Sequence, residues 1–99
     1  MNYLVANTIK SGNKTIATAG TPLALLTSDA KAVWVIVQAV STNTGDVWVG
    51  GSDVLASTKT GIRLTAGSST PMLPITNVAK IYADVATNGD KVSFIYGVY

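Results

Sequence analysis

Several residue types that carry chemistry are missing from this chain of 99 residues. It has no cysteine, which excludes disulfides, thiolate catalysis and zinc–thiolate sites together. It has no histidine, which removes the base of Ser–His and Cys–His catalytic pairs. Its acidic residues are all aspartates. We therefore expect a protein that is not an enzyme and has no catalytic, cofactor or metal site.

Charged residues are also scarce, at 12% of the chain against the ~25% usual in soluble domains. Lysines and Arg63 exceed the aspartates by a net charge of +2, and no two cationic residues are adjacent. Nucleic-acid binding requires a basic cluster or stripe, so we do not expect that partner. A surface with so few charges suits contacts with other protein subunits.

No apolar stretch approaches the ~20 residues of a membrane helix, so no membrane partner is expected. Residues Met1–Leu4 lack the basic and apolar parts of a secretory signal. The chain is therefore expected to be made, and to stay, in a cytoplasm until it assembles. Its length predicts one domain over residues 1–99.

The most apolar stretch is Ala32–Val40, which is rich in β-branched residues. Turn-forming residues follow it in Ser41–Asp46, and a second apolar stretch follows in Val47–Gly51. This pattern predicts a β-hairpin with Trp34 and Trp48 as candidate cross-strand neighbours. Because Ala32–Val40 is apolar on both faces, its second face is expected to contact another layer or another subunit.

Turn signals recur about every 8–12 residues, which is typical of small all-β domains. The sequence predicts a single small β-sandwich or jelly-roll-like barrel of about seven or eight strands. Six further local predictions follow from the same signals. Near the N-terminal end they are an extended arm or edge strand over residues 1–10, a turn at Ser11–Lys14 and an edge strand at Thr15–Ala19. Further along they are an edge or bulged strand at Thr70–Ile75, a hairpin turn at Asn88-Gly89 and a closing strand at Lys91–Tyr99.

Few polar groups suggest chemistry. Asp46 and Asp53 flank one predicted strand, as a pair of glycosidase carboxylates would, but aspartates in turns are explained by local hydrogen bonds. Asn43–Asp46 and Asn88–Asp90 resemble fragments of calcium loops and lack the full ligand spacing. For the tryptophans, burial in the core or in a subunit interface is favoured over a ligand platform.

Four strand and turn motifs, taken together, resemble those of a known class of proteins. The motifs are Trp34–Gln38, Asn43–Val54, Gly61–Gly67 and Lys80–Asp84. The set is similar to small all-β structural proteins of tailed bacteriophages, which coat the head or belong to the tail. The resemblance covers roughly Val33 to Tyr96. It implies a capsid decoration (cement) protein, commonly oligomeric, that binds over the joints between shell subunits.

Our leading hypothesis is a non-enzymatic virion protein, assembled in the host cytoplasm, that binds the major capsid protein and stabilises the outer head surface. We expect a homo-oligomer, with a trimer favoured. The alternative is a tail-associated or receptor- or carbohydrate-binding β module that uses Trp34, Trp48 or Tyr82. The residues predicted to lie in interfaces are Trp34, Ile36, Trp48, Tyr82, Tyr96 and Tyr99.

Overall fold

The computed structural model describes residues 6–99. Its elements are the strands β1 (Thr8–Thr15), β2 (Leu23–Ala24), β3 (Trp34–Ala39), β4 (Val47–Gly50), β5 (Ile62–Leu64), β6 (Tyr82–Val85) and β7 (Lys91–Val98), and a short 3-10 helix at Val78–Lys80. No α-helix occurs among these residues. The predicted all-β class is confirmed.

The strands form two antiparallel sheets that do not close into a barrel. One sheet has the order β1–β7–β3 and the other the order β2–β6–β4–β5. One face of each sheet contributes to a single buried core. Its members from the strands are Val35, Val37, Ala39, Val47, Val49, Leu64, Ala83, Val85, Val92 and Phe94.

A segment spanning residues 67–73, called here the 67–73 segment, covers the second edge of β3. Val35 and Leu73 exchange backbone hydrogen bonds of 2.9 and 2.8 Å, and the amide of Thr70 donates to the carbonyl of Val37 at 2.8 Å. Pro71 lies within this segment, and because it has no N–H the pairing stays irregular. The stretch around Pro71 lies at the edge of the sheet, as predicted, but it forms isolated bridges to β3 and not the predicted strand.

The predicted hairpin between Ala32–Val40 and Val47–Gly51 is wrong. β3 pairs with β7, whereas β4 pairs with β5 and β6, so the Ser41–Asp46 loop crosses from one sheet to the other. Trp34 and Trp48 are consequently not cross-strand neighbours. The loop contains the expected turn residues, but turn composition alone does not decide whether the two strands it joins pair with each other.

The Asn88-Gly89 turn does not form a hairpin either, because it joins β6 in one sheet to β7 in the other. The turn itself is present: Gly89 has φ +85°, a conformation that glycine adopts without steric cost. The side-chain oxygen of Asn88 accepts a 2.7 Å hydrogen bond from the amide of Ala19. The turn is therefore held by a distant loop.

The predicted turn at Ser11–Lys14 lies inside β1, which runs without interruption from Thr8 to Thr15. Gly12 is required there by close packing, because a Cβ at this position would lie 2.6 Å from Cζ of Phe94 on β7. The edge strand predicted over Thr15–Ala19 is also wrong, because β1 ends at Thr15.

The N-terminal edge strand predicted over residues 1–10 is partly present. Residues 8–10 form the start of β1, which is the edge strand of its sheet among the described residues. The part of the prediction that covers residues 1–5 lies outside those residues. The closing strand predicted over Lys91–Tyr99 is confirmed as β7.

Candidate interaction surface

The outer face of the sheet β1–β7–β3, called here the open face, points away from the core, and no second layer covers it among residues 6–99. Strand register places three cross-strand rows on it. The rows contain Ile9, Ser11, Asn13, Trp34, Ile36, Gln38, Ser93, Ile95 and Gly97, and the exposed pair Thr15 and Lys91 continues the same face at one end. Because one face of an antiparallel sheet is often solvated, a polar open face would be ordinary. This one is only half polar.

The apolar half of the open face leaves several isoleucines in water. Ile36 lies directly opposite Ile95 on the neighbouring strand. Ile95 is 37% exposed, and Ile9 at the sheet edge is 60% exposed. Folding of the isolated chain does not bury these side chains, so burial by a partner would release additional free energy.

Trp34 is the exception on the open face, because only 7% of it is exposed. A Cβ at Gly97 would lie 2.6 Å from Cε2 and Nε1 of Trp34 and 2.7 Å from the Cβ of Ala6. The indole therefore lies across Gly97, with Ala6 close to the same glycine. Trp34 stabilises the surface and presents little of its ring to a partner.

The polar half of the open face borders a shallow groove of about 330 Å³ lined by Gln38, Ser69, Ser93 and Ile36, among others. The side-chain amide of Gln38 donates to the carbonyl of Gly67 at 3.1 Å. This bond ties the edge of the open face to the 67–73 segment. The open face therefore combines an apolar half with hydroxyl and amide groups that can donate and accept hydrogen bonds.

The outer face of the other sheet, called here the covered face, is covered in part by the chain itself, although Arg63 on the same face remains exposed. Asp84 lies on that face and is fully buried; its Oδ1 accepts from the amide of Gly20 at 2.9 Å and its Oδ2 from the amide of Ala56 at 2.7 Å. Two loops are thereby fixed over the sheet. Trp48, opposite Asp84 in the register, is only 6% exposed.

The six predicted interface residues do not lie on one surface. Trp34 and Ile36 lie on the open face, whereas Trp48 and Tyr82 lie on the covered face. Tyr96 points to the core side, where its ring stacks on Phe94 with centroids 6.2 Å apart. Tyr99 follows β7 and is 69% exposed, beside a groove of about 550 Å³.

Ile9 and Ile95 are the exposed apolar residues of the open face that were missing from the predicted interface. The predicted turn at Ser11–Lys14 separated Ile9 from the sheet, so nothing in the sequence placed it beside β7. Ile95 could have been found, because the alternation along Lys91–Tyr99 puts it on the face opposite Val92 and Phe94.

The candidate calcium loops do come together, but their oxygens are already used by the fold. The two carboxylate oxygens of Asp90 accept hydrogen bonds from the amides of Thr44 at 3.1 Å and Gly45 at 2.8 Å. Among residues 6–99 there is no group of three acidic, histidine or cysteine side chains that could hold a metal ion. Asp90 therefore serves to hold the loop between β3 and β4.

Of the two flanking aspartates, Asp46 forms an ion pair with Arg63 at 2.7 Å. Asp53 is exposed in the loop that follows β4. No buried side-chain nitrogen or oxygen in the described part of the chain lacks a hydrogen-bond partner. These polar side chains therefore mainly stabilise loops and turns through hydrogen bonds and the one ion pair among the described residues.

Within the described range, no helix has the length and apolar character needed to cross a membrane. Comparison with known proteins gives no match: no family model, no curated protein and no solved structure is significantly similar to this chain.

Proposed function

We propose that this protein is a non-enzymatic structural protein of a bacteriophage virion, and specifically a capsid decoration protein that binds the outer surface of the head. Its partner is the major capsid protein. The observation that carries this proposal is the open face, where Ile36 and Ile95 lie side by side and no layer from residues 6–99 covers them. A folded domain that leaves such a face in water has an area available for assembly.

We further infer that the two sheets form a β-sandwich of the jelly-roll type. With the 67–73 segment counted as a strand, the pairs are nested: β1 with β7, β2 with β6, β3 with the segment, and β4 with β5. The pairs are nested because the first strand pairs with the last, the second with the second-last, and so on inward. One long hairpin that folds over into two sheets produces this pattern. Eight-stranded jelly rolls recur in viral capsid proteins, which supports the virion proposal by analogy of fold alone.

Binding to a capsid requires many modest contacts that act together, and a homo-oligomer supplies them through avidity. A trimer is the form favoured by the resemblance to phage decoration proteins. Light scattering on a size-exclusion column measures the mass of the purified chain directly. A mass three times that of the monomer supports a trimer, and a monomer at all concentrations argues against it.

The direct test uses particles of the phage that encodes this chain, stripped of the protein and incubated with purified variants. Ile95→Lys places a charge on the open face and is expected to abolish rebinding. Ile62→Lys is the matched control, because Ile62 is 45% exposed and belongs to the other sheet. If both variants rebind and protect the particles from heat as the wild type does, the open face is not the capsid-binding surface.

Absence of the protein from purified particles, measured by mass spectrometry, would contradict the virion proposal as a whole. A tail-associated or carbohydrate-binding role is the second candidate, favoured by one observation: Tyr99 exposes most of its ring beside the groove of about 550 Å³. Such rings stack on sugars. Loss of glycan binding in Tyr99→Ala, with wild-type stability, would support this role.

A further inference from the structure

Half of the backbone hydrogen-bonding groups of β1 have no partner among residues 6–99. The amide of Ile16 donates to the carbonyl of Asp90 at 3.0 Å, and these two residues continue the register of β1 and β7. Because hydrogen-bonded pairs alternate along an antiparallel ladder, the even-numbered residues of β1 bond to β7 and the odd-numbered ones point away. The outward N–H and C=O groups belong to Ile9, Ser11, Asn13 and Thr15.

The other sheet edges in the described part of the chain are short or interrupted. β2 has two residues and β5 has three. The edge beyond β3 is occupied by the 67–73 segment, in which Pro71 lacks an N–H. β1 has eight residues, contains no proline and is exposed along most of its length. Unpaired edges of this length invite pairing with another strand.

Positive charge flanks this edge. Lys10 and Lys14 lie on the same face of β1, with Gly12 between them. The one ion pair among residues 6–99 joins Arg63 and Asp46, so neither lysine of β1 has a carboxylate partner there. Three other aspartates are hydrogen-bonded elsewhere, namely Asp29, Asp84 and Asp90. The edge is therefore cationic.

The same lysines disfavour pairing of β1 with a second copy of itself. Two β1 strands related by a two-fold axis in an antiparallel ribbon put Lys10 and Lys14 of both copies on one face. Four like charges on one face of a two-stranded ribbon repel each other. A strand with the opposite charge on that face meets no such repulsion.

We propose that the free edge of β1 binds an extended acidic segment of another protein, which adds a strand to the sheet. Alternate side chains of that segment are acidic and face Lys10 and Lys14. The intervening side chains are apolar and lie beside Ile9 on the open face. Main-chain hydrogen bonds supply affinity, and the lysines select the charge of the segment. This mode of binding does not require the partner to be a capsid protein.

The test measures amide hydrogen exchange by NMR on the full chain labelled with ¹⁵N, at low ionic strength. The probe is a capped eight-residue peptide of alternating valine and glutamate, matched to the length of β1. At a peptide concentration ten times Kd, we expect exchange at Ser11 and Asn13 to slow about tenfold, because the unbound fraction falls in that proportion. Even-numbered amides of β1 are already bonded to β7 and should change little.

Matched controls separate charge from backbone pairing. A peptide with lysine in place of glutamate should not bind the wild type, and the double variant Lys10→Glu/Lys14→Glu should reverse this preference. Ser11→Pro removes an outward N–H that the fold does not use, so it should retain stability and lose binding. The reversed peptide preference of the Lys10→Glu/Lys14→Glu variant tests the proposal even if the proline variant is unstable.

Equal binding of both peptides, or protection at residues outside β1, would overturn the proposal. Protection of Ser11 and Asn13 in the protein alone, increasing with protein concentration, would mean that a second copy occupies the edge and would overturn it as well. These experiments need no virus particles, so their failure is distinct from failure of the virion proposal.

Discussion

The side chain of Asn43 pairs with the backbone of Lys91 as a residue of a neighbouring strand would. Its Nδ2 donates to the carbonyl of Lys91 at 2.7 Å, and its Oδ1 accepts from the amide of Lys91 at 2.9 Å. The pairing of β3 and β7 thus continues past the end of β3 at Ala39. The carbonyl of Lys91 also accepts from the backbone amide of Val40 at 3.2 Å, and the side chain of Asn43 supplies the acceptor for the amide of Lys91.

Asn43→Ala is therefore expected to lower the free energy of unfolding by about 1–3 kcal/mol, because both hydrogen bonds to Lys91 are lost at once. Urea denaturation measures this change. Thr42→Ala, in the same loop but exposed, is the control and should have an unfolding free energy close to that of the wild type. Equal stability of the two variants would mean that water replaces the Asn43 amide without cost.

Asp84→Ala is expected to destabilise the protein by about 3 kcal/mol, because the amides of Gly20 and Ala56 lose their acceptor in a buried position. Asp84→Asn retains one acceptor oxygen and should lose less. The exposed Asp53→Ala serves as control. A red shift of tryptophan fluorescence in Asp84→Ala would report that the loops above Trp48 have opened.

Gly97→Ala is expected to cost about 1–3 kcal/mol, because its methyl group overlaps the indole of Trp34. In a double-mutant cycle, the same substitution should cost less in a Trp34→Ala background, although the Cβ of Ala6 remains close. Gly51→Ala is the control, since its added Cβ would meet nothing closer than 3.4 Å. An equal cost in both backgrounds would contradict the close packing of Trp34 on Gly97.

Thr70→Val tests the irregular edge beside β3. The hydroxyl of the buried Thr70 accepts a hydrogen bond from the amide of Val37 at 3.1 Å, and valine keeps the shape without the acceptor. We expect a loss of about 1–2 kcal/mol in thermal or chemical unfolding. Thr70→Ser, which keeps the hydroxyl, should lose clearly less than Thr70→Val. The reverse order would mean that the γ-methyl of Thr70, and not its hydroxyl, makes the larger contribution to the free energy of unfolding.

The fold class, the apolar strand around Val35 and the closing strand β7 could be predicted because alternation and β-branched residues are local signals. Asp84 lies on the outer face of its sheet, opposite Trp48. Its complete burial could not be predicted, because the loops that cover it come from Gly20 and Ala56, which are distant in sequence.

Strand pairing was the part that could not be predicted. The Ser41–Asp46 loop and the Asn88-Gly89 turn have the composition of hairpin connections, yet both link different sheets. Whether two strands adjacent in sequence pair with each other depends on which pairing buries more apolar surface. That comparison involves every strand of the chain and cannot be made from the loop alone. The turn predicted at Ser11–Lys14 is wrong for a related reason. A glycine that packs against the ring of Phe94 within a strand cannot be distinguished by sequence from a glycine in a turn.

Pairing of β1 with β7 joins residues from nearly opposite ends of the chain, with Thr8 opposite Val98. Long-range contacts of this kind slow folding, because loop-closure entropy is lost before the contacts form. During translation, β1 leaves the ribosome long before β7 exists. A nascent chain therefore lacks the sheet that orients β1, and its edge becomes a defined binding surface only after synthesis of β7 is complete.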